Sequence, residues 1–504
     1  MEKKEKISFM EICKWMGLSL LFIGAAARIY LYIYCKDMWL DEAALAASIW
    51  EGDIKNILSG KLIGGQSAPL GFMLLTKFIS YFGGTSEFAL RFLPLMSGIT
   101  SGFLLWVFAR REVNEIYALL CAVIFVACIP LLYYASEFKP YATDTLVTIA
   151  YLFIYSKNLD SLYNNIMPLT TVFLSCLCLL FSLPGLFVFC GLASSVLIMA
   201  WKRGEILYFI KNNKYKILFM LAFVSIHVLY LWKTSNPGMF LYWERYFLPI
   251  NPAVFPQYIK TVLAPIMILS MRVSESMFLN ISILACSFFG GLFLLYRKNF
   301  PIFLFVFMTG LFFVAASAMK FYPLGHGGII GSRLSLFYFP LIFISISYFF
   351  YMLYGVIFTK RGFLILSLII TLFLMKYQYN FVNHGGTQLQ QVSNLIKTIN
   401  VKMDYASEII VYNMSVPAYK YYQHRHNKNF EYFVIGLHKD PIVELQQIAA
   451  EGKEKGKNTY YVLFSHYSEA HYESCVEYVR RTYDFKEILE APGARLVVFK
   501  IINS

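Results

Sequence analysis

Long apolar runs broken by short charged clusters dominate the chain. Runs at 12–34, 89–109, 116–134, 141–156, 166–183, 185–201, 215–233, 276–296, 300–318, 334–357 and 362–378 approach or exceed the ~18–20 residues that a helix needs to cross the hydrocarbon core. The pattern predicts a mostly α, polytopic membrane protein with about eleven transmembrane helices. Segment 258–273, "YIKTVLAPIMILSMRV", reads as re-entrant or interfacial and stands outside that number. Basic clusters flank the runs: Lys3-Lys4 with Lys6, Arg110-Arg111, Lys202-Arg203, Lys211 with Lys214 and Lys216, Arg297-Lys298, and Lys360-Arg361. Such clusters mark cytoplasmic ends, so the N-terminus is expected inside and the C-terminus outside.

Two segments depart from this rhythm. Residues 35–88 form a long first outer loop in which "LDEAALAASIWEG" and "APLGFMLLTKFISYFG" read as short amphipathic helices lying against the bilayer. The second is not read as a span, because 89–109 would then place Arg110-Arg111 outside. Near Gln378 charges become frequent, and strand-like runs ("EIIVYN", "FEYFVIG", "NTYYVLFSH", "RLVVFKI") alternate with helical patterns ("PIVELQQIAAEGKEKG", "SEAHYESCVEYVRRTY"). That alternation predicts a small soluble, extracytoplasmic α/β domain at 379–504 behind a transmembrane domain at 1–378. It holds no glycine-rich phosphate loop and reads as accessory.

Composition sharpens this only a little. Of 504 residues, 58% are hydrophobic and 15% charged, with mean hydropathy +0.57, which is the membrane class. The formal charge of +14 comes largely from the flanking clusters and carries no nucleic-acid signature. Nine cysteines are scattered, mostly inside apolar runs, without metal-site spacing. "MEKKEK" precedes a long span with no small-residue cleavage site, and reads as a retained anchor.

An ionisable side chain in hydrocarbon costs about 2.5–3.5 kcal/mol, so charges gathered at one depth need a common reason. The predicted topology brings three groups to the outer face: Asp41 and Glu42 with Arg91, then Glu137, Lys139 and Asp144, then Lys320, His326 and Arg333. Arg and Lys hold phosphate through charge-assisted hydrogen bonds, and an Asp beside them takes a proton from a hydroxyl or helps bind a divalent cation. A lipid phosphate suits that level, its tail remaining in the bilayer. Singly, each element has a plainer reading: Asp41 and Glu42 as helix caps, Arg91 as a snorkelling residue, "EFKPY" as a proline-started helix and His326 as a turn residue. The alternative for the whole is a lipid-linked-sugar flippase or transporter. That reading calls for charges near the midplane and paired halves, which the sequence lacks.

In order along the chain, the acidic pair in "MWLDEAAL", "QSAPLGFMLLTKF", "SEFALRFLPLMSG", a basic pair closing the span and "YYASEFKPYATDT" resemble the polytopic glycosyltransferases of the GT-C fold, in the branch of protein O-mannosyltransferases and the aminoarabinose transferase of lipid A. The resemblance is strongest over 10–160 and continues through "FYPLGHGGIIGSRLSLFYFPL". It implies an inverting transferase that moves a hexosyl or pentosyl unit from a polyprenyl-phosphate carrier to a protein, lipid or polysaccharide hydroxyl, at the outer face of the cell's inner (plasma) membrane. By position it implies Asp41 as general base with Glu42 beside it, and Arg91, Lys139 and Arg333 at the donor phosphate. Gln66, Glu137, Tyr141, Asp144, Tyr322 and His326 are the further substrate-site candidates. Members often carry His-Pro-Pro where this chain has Ser67-Ala68-Pro69, and the lipid A branch has Asp where this chain has Tyr141. Neither a metal ion nor a lipid A acceptor therefore follows for this chain. A divalent metal ion stays open as a cofactor, and the expected partners are the lipid-linked sugar, its acceptor and membrane lipids, with no nucleic acid.

Overall fold

The computed structural model describes residues 8–159, 161, 164–234, 243–248, 277–296, 300–325, 331–357, 390–437 and 440–501, with isolated positions between 359 and 382. The helices before the tail are α1 (Phe9–Tyr34), α2 (Leu40–Trp50), α3 (Ile54–Leu58), α4 (Leu70–Gly83), α5 (Glu87–Glu112), α6 (Glu115–Ala127), α7 (Ile129–Tyr133), α8 (Tyr141–Lys157), α9 (Leu169–Phe181), α10 (Gly185–Lys202), α11 (Ile206–Thr234), α12 (Met277–Tyr296), α13 (Phe300–Ala318) and α14 (Phe339–Ile357). Their starts follow local chemistry. Ser8 and Glu11 exchange side-chain and backbone hydrogen bonds at the head of α1. Ser86 caps α5 and Asn114 caps α6. Pro69, Pro140, Pro168 and Pro184 stand just ahead of α4, α8, α9 and α10, where a fixed φ and a missing N–H do no harm.

Among the described residues, α1, α5, α10, α11, α13 and Ser332–Tyr354 are long and apolar enough to cross a membrane. The pair Glu115–Ala127 and Ile129–Ser136, bent by 69°, adds a seventh span if it is counted as one. The expectation of about eleven also included α8 and α9, whose 17 and 13 residues reach only about 26 and 20 Å upright. It further included the span at α12, which qualifies only as the shorter apolar helix Ala285–Tyr296. The last, 362–378, and the segment 258–273 lie wholly or largely outside the described residues. α1 packs on α5 and α6, α5 on α8, α10 on α13, and α12 on α14.

Within the first loop the expected short helices form, but α2 does not lie against a bilayer. Its residues Glu42–Ile49 are all buried, because its alanines let α4 and the tail approach it from several sides at once. The tail comprises α15 (Ser393–Lys402), β1 (Ser407–Tyr412), α16 (Val416–Arg425), β2 (Phe433–Ile435), α17 (Pro441–Glu454), β3 (Thr459–Ser465), α18 (Glu469–Thr482), β4 (Asp484–Ala491) and β5 (Ala494–Lys500). Its sheet runs β2-β1-β3-β5-β4, with β2, β1 and β3 mutually parallel and β5 antiparallel to both its neighbours. Side chains alternate across it. Ile410, Tyr460, Val462, Val497 and Phe499 join the core under α17 and α18. Ile409, Val411, Tyr461, Leu463, Leu496 and Val498 share one core with Met38, Ala43, Leu45 and Phe72 of the first loop. Tail and loop are thus built as one body.

Candidate active site

α2 begins with Asp41 and Glu42, and consecutive helical residues point about 100° apart. The two carboxylates therefore separate. Glu42 turns inward and is completely buried. It accepts from Arg91 twice, Nε–H to Oε1 at 2.9 Å and Nη2–H to Oε2 at 2.8 Å, and from the Phe138 N–H at 2.6 Å. Arg91 also donates through Nη1 to the Lys36 carbonyl at 2.6 Å and to Cys35 Sγ at 3.9 Å, and through Nη2 to the Asp37 carbonyl at 3.4 Å. All five N–H groups of the guanidinium are engaged. Arg91, expected at a donor phosphate, and Glu42, expected beside the base, are instead partners to each other and to the backbone. Next to them Lys36 Nζ donates to Glu137 Oε1 at 2.8 Å and lies 3.5 Å from the centre of the Tyr133 ring. Burial pulls the Lys36 ammonium below its ordinary value, against the pull of Glu137.

Asp41 turns the other way and keeps 22% of its side chain accessible. Arg333 Nη1–H donates to Asp41 Oδ2 at 2.9 Å. The Arg333 guanidinium lies 5.0 Å from the centre of the Trp243 ring and 5.7 Å from that of Trp39, rings that favour a cation on their faces. Lys139, only 5% exposed, donates from Nζ to Gln66 Oε1 at 2.7 Å. Burial alone raises the Asp41 carboxyl, but the charges of Lys139 and Arg333 and the Arg333 hydrogen bond outweigh it and hold the group below its ordinary value. Lys139 is itself lowered by burial, with Asp41 opposing. Four of the expected residues, Asp41, Arg333, Lys139 and Gln66, thus lie together, with Asp41 partly open, apart from the closed Glu42–Arg91 and Lys36–Glu137 pairs.

Of the other candidates, Tyr141 lies close enough to feel the charges of both Arg333 and Asp41, and Tyr322 that of Arg333. Tyr141 heads α8 with its ring 4.9 Å from Tyr134, and Asp144 is buried one turn on. Tyr322 donates to the Leu334 carbonyl at 3.2 Å within an aromatic cluster that includes Phe187 and Phe313. His326 lies outside the described residues. Among the described residues, no three His, Cys, Asp or Glu side chains gather as a metal site. Asp41 sits between two cations, a donor set that does not fit a divalent metal ion.

Sequence reasoning missed Lys36, the two tryptophans around Arg333, and His466 in the tail. His466 follows β3, and its charge interactions reach both Asp41 and Arg333. Trp39 stood beside the acidic pair and could have been noticed. Nothing in the sequence joined His466 to a residue in the first loop.

No protein-family model and no curated protein matches the sequence. Solved structures do. ArnT from Cupriavidus metallidurans bound to undecaprenyl phosphate aligns over 97% of this chain and 98% of its own, at 12% identity and a TM-score of 0.54. The apo form of the same protein aligns over 96% and 98%, at 11% identity and a TM-score of 0.51. From the first span to the tail sheet, the chain has the GT-C fold of polytopic membrane glycosyltransferases.

Proposed function

We propose that this protein is a glycosyltransferase that moves a hexosyl or pentosyl unit from a polyprenyl-phosphate carrier to an acceptor hydroxyl, on the extracytoplasmic face of the inner membrane. The carrying observation is the split of the acidic pair: Glu42 is closed by Arg91, while Asp41 keeps an accessible carboxylate between Arg333 and Lys139. Two cations and a carboxylate within one site are the parts that an in-line displacement at a sugar-phosphate carbon requires. The likeness to a structure of ArnT bound to undecaprenyl phosphate supports the choice of lipid.

In this reading Asp41 deprotonates the acceptor hydroxyl as its oxygen attacks the anomeric carbon, and the bonding pair leaves with the lipid phosphate. The sugar carbon inverts. Arg333 and Lys139 stabilise the charge that grows on the departing phosphate. A carboxylate held this firmly by two cations is a poor base at rest. A lipid phosphate that draws Arg333 and Lys139 toward itself relieves that hold, so donor binding raises the basicity of Asp41 when it is needed. Arg91 positions Glu42 and the 35–38 backbone and does not touch the donor.

The test uses full-length protein in nanodiscs with a panel of radiolabelled undecaprenyl-phosphate hexoses and pentoses. Wild type transfers or slowly hydrolyses at least one of them. Asp41→Asn lowers that rate about 100-fold or more, while undecaprenyl phosphate still binds. An undiminished rate in Asp41→Asn removes Asp41 as the base. Transbilayer movement of the lipid-linked sugar, with neither transfer nor hydrolysis, replaces the enzyme reading by the transporter.

A further inference from the structure

The tail was expected to be accessory, yet it and the first loop cap each other's helices. α2 opens behind Trp39 and α15 behind Val392, and neither side chain has an oxygen to hold the free N–H groups of a first turn. The partners come from the other segment. The Leu40 N–H donates to Gln390 Oε1 at 3.1 Å, and the Ser393 N–H and hydroxyl donate to the Asp37 carboxylate at 2.7 and 2.9 Å. Between them the Met38 N–H donates to the Tyr422 hydroxyl of α16 at 2.8 Å. These partners lie 350 to 384 residues apart, so neither segment could form the caps by itself.

The tail residues that do this are themselves fixed. Gln391, next to Gln390, donates its N–H to the Pro492 carbonyl at 2.8 Å, which ties it to the β4–β5 connection. Gln390 and Tyr422 are both buried. From the transmembrane domain, Arg91 holds the Lys36 and Asp37 carbonyls and Glu42. Segment 36–42 is thus clamped from two sides. It presents two side chains to Arg333: the Asp41 carboxylate, which accepts at 2.9 Å, and the Trp39 ring, 5.7 Å from the guanidinium.

We propose that the tail is a positioning element of the active site: Gln390, Ser393 and Tyr422 fix the start of α2 and thereby set Asp41 against the acceptor and against Arg333. This rests on the glycosyl-transfer reading above. The three residues act through the backbone of 37–40, not on the reacting atoms. A general base works only within hydrogen-bond reach of its proton, and a misplacement of about 1 Å costs about 100-fold in rate. α2 needs an outside hold because its start has no local cap, and the Glu42–Arg91 pair pins only the face turned away from Asp41.

The test uses full-length protein in nanodiscs with the undecaprenyl-phosphate sugar that wild type transfers or hydrolyses, well below the melting temperature of every variant. Tyr422→Phe removes the acceptor for Met38 and Gln390→Met that for Leu40, at nearly unchanged side-chain size. Each is expected to lower kcat about 10-fold, and the two together about 100-fold. KM for the lipid-linked sugar changes little, because Arg333 keeps Trp243 and Lys139 keeps Gln66. Gln390→Glu restores the rate. Its carboxylate accepts the same N–H, suits the positive end of a helix and loses no bond, since Gln390 Nε2 has no partner among the described residues. In an Asp41→Asn background the same changes leave the residual rate where it is, because an absent base cannot be misplaced. A merely structural role lowers both backgrounds by the same factor. Wild-type kcat in the Tyr422→Phe/Gln390→Met double variant, equal losses in the two backgrounds, or a Gln390→Glu variant as slow as Gln390→Met overturns the proposal. If wild type itself shows no lipid-dependent transfer or hydrolysis, the glycosyl-transfer reading fails and the proposal falls with it.

Discussion

At the scale of single residues, the adjacent acids Asp41 and Glu42 meet opposite fates because helix geometry turns them apart and different arginines wait on each side. Glu42 and Arg91 form a fully buried pair. Such a pair adds little over apolar residues of the same shape, but removing one member strands the other and costs about 3–5 kcal/mol. Arg91→Ala and Glu42→Gln should each lower the melting temperature of the purified protein steeply. A double Glu42→Leu/Arg91→Met change should recover only part of that loss, because the Lys36 and Asp37 carbonyls and the Phe138 N–H lose these partners. Asp41→Asn, at a partly open position, should shift the melting temperature far less. If Arg91→Ala melts like wild type and only weakens binding of undecaprenyl phosphate, then Arg91 faces the donor after all. The acids and arginines were legible in the sequence as a set, because charges are rare in so apolar a chain. Their pairing was not. Arg91 lies 49 positions from Glu42 and Arg333 lies 292 from Asp41, and both arginines looked equally fit to hold a phosphate.

At the scale of elements, the site depends on how closely α5 approaches the turn that carries Phe138 and Lys139. A Cβ placed on Gly98 of α5 would lie 2.6 Å from the Cβ of Ala135, so only glycine permits this contact. Gly98→Ala should force α5 and the 134–136 turn apart, at about 1–3 kcal/mol of overpacking. It should also lower transfer, because the Phe138 N–H is drawn away from Glu42. Gly98→Ala combined with Ala135→Gly should restore both the melting temperature and the rate; failure of that rescue would place the fault elsewhere than in this contact. Helix starts were readable here, since proline, serine and asparagine announce them locally. The break at Cys128 was not, because the apolar run 116–134 continues through it and only Pro130 hints at a new start. β4 was missed for a related reason: "DFKEILEA" has no clean alternation, and its residues are half-buried to exposed along the whole strand. It is recruited by pairing with β5 across a short Pro492-Gly493 connection.

For the whole molecule, one helix decides on which side of the membrane the chemistry lies. At its N-terminal end α5 is tied to the tail: Thr85 bonds to Tyr421 and His424, and Glu87 pairs with Arg425 at 3.6 Å. The C-terminus of α1 lies at that level too, since the Tyr32 hydroxyl donates to the Phe88 carbonyl at 2.8 Å. At its other end α5 carries Arg110 and Arg111 in the last turn, where cations complement the helix dipole. The 26 residues between make about 39 Å of helix, more than the hydrocarbon core requires. Tail and double arginine therefore lie on opposite sides of any membrane that α5 crosses. In the proposed topology, where an excess of Lys and Arg marks the cytoplasmic loops, Arg111 lies inside and the tail and Asp41 lie outside. Cysteines placed at exposed Lys455 of the tail and exposed Arg111 test this directly, read against the labelling of wild type. A membrane-impermeant maleimide should label Lys455→Cys in spheroplasts with sealed inner membranes, and Arg111→Cys only after permeabilisation. The reverse pattern would place the site in the cytoplasm, where it would draw on a lipid-linked sugar before its passage across the membrane.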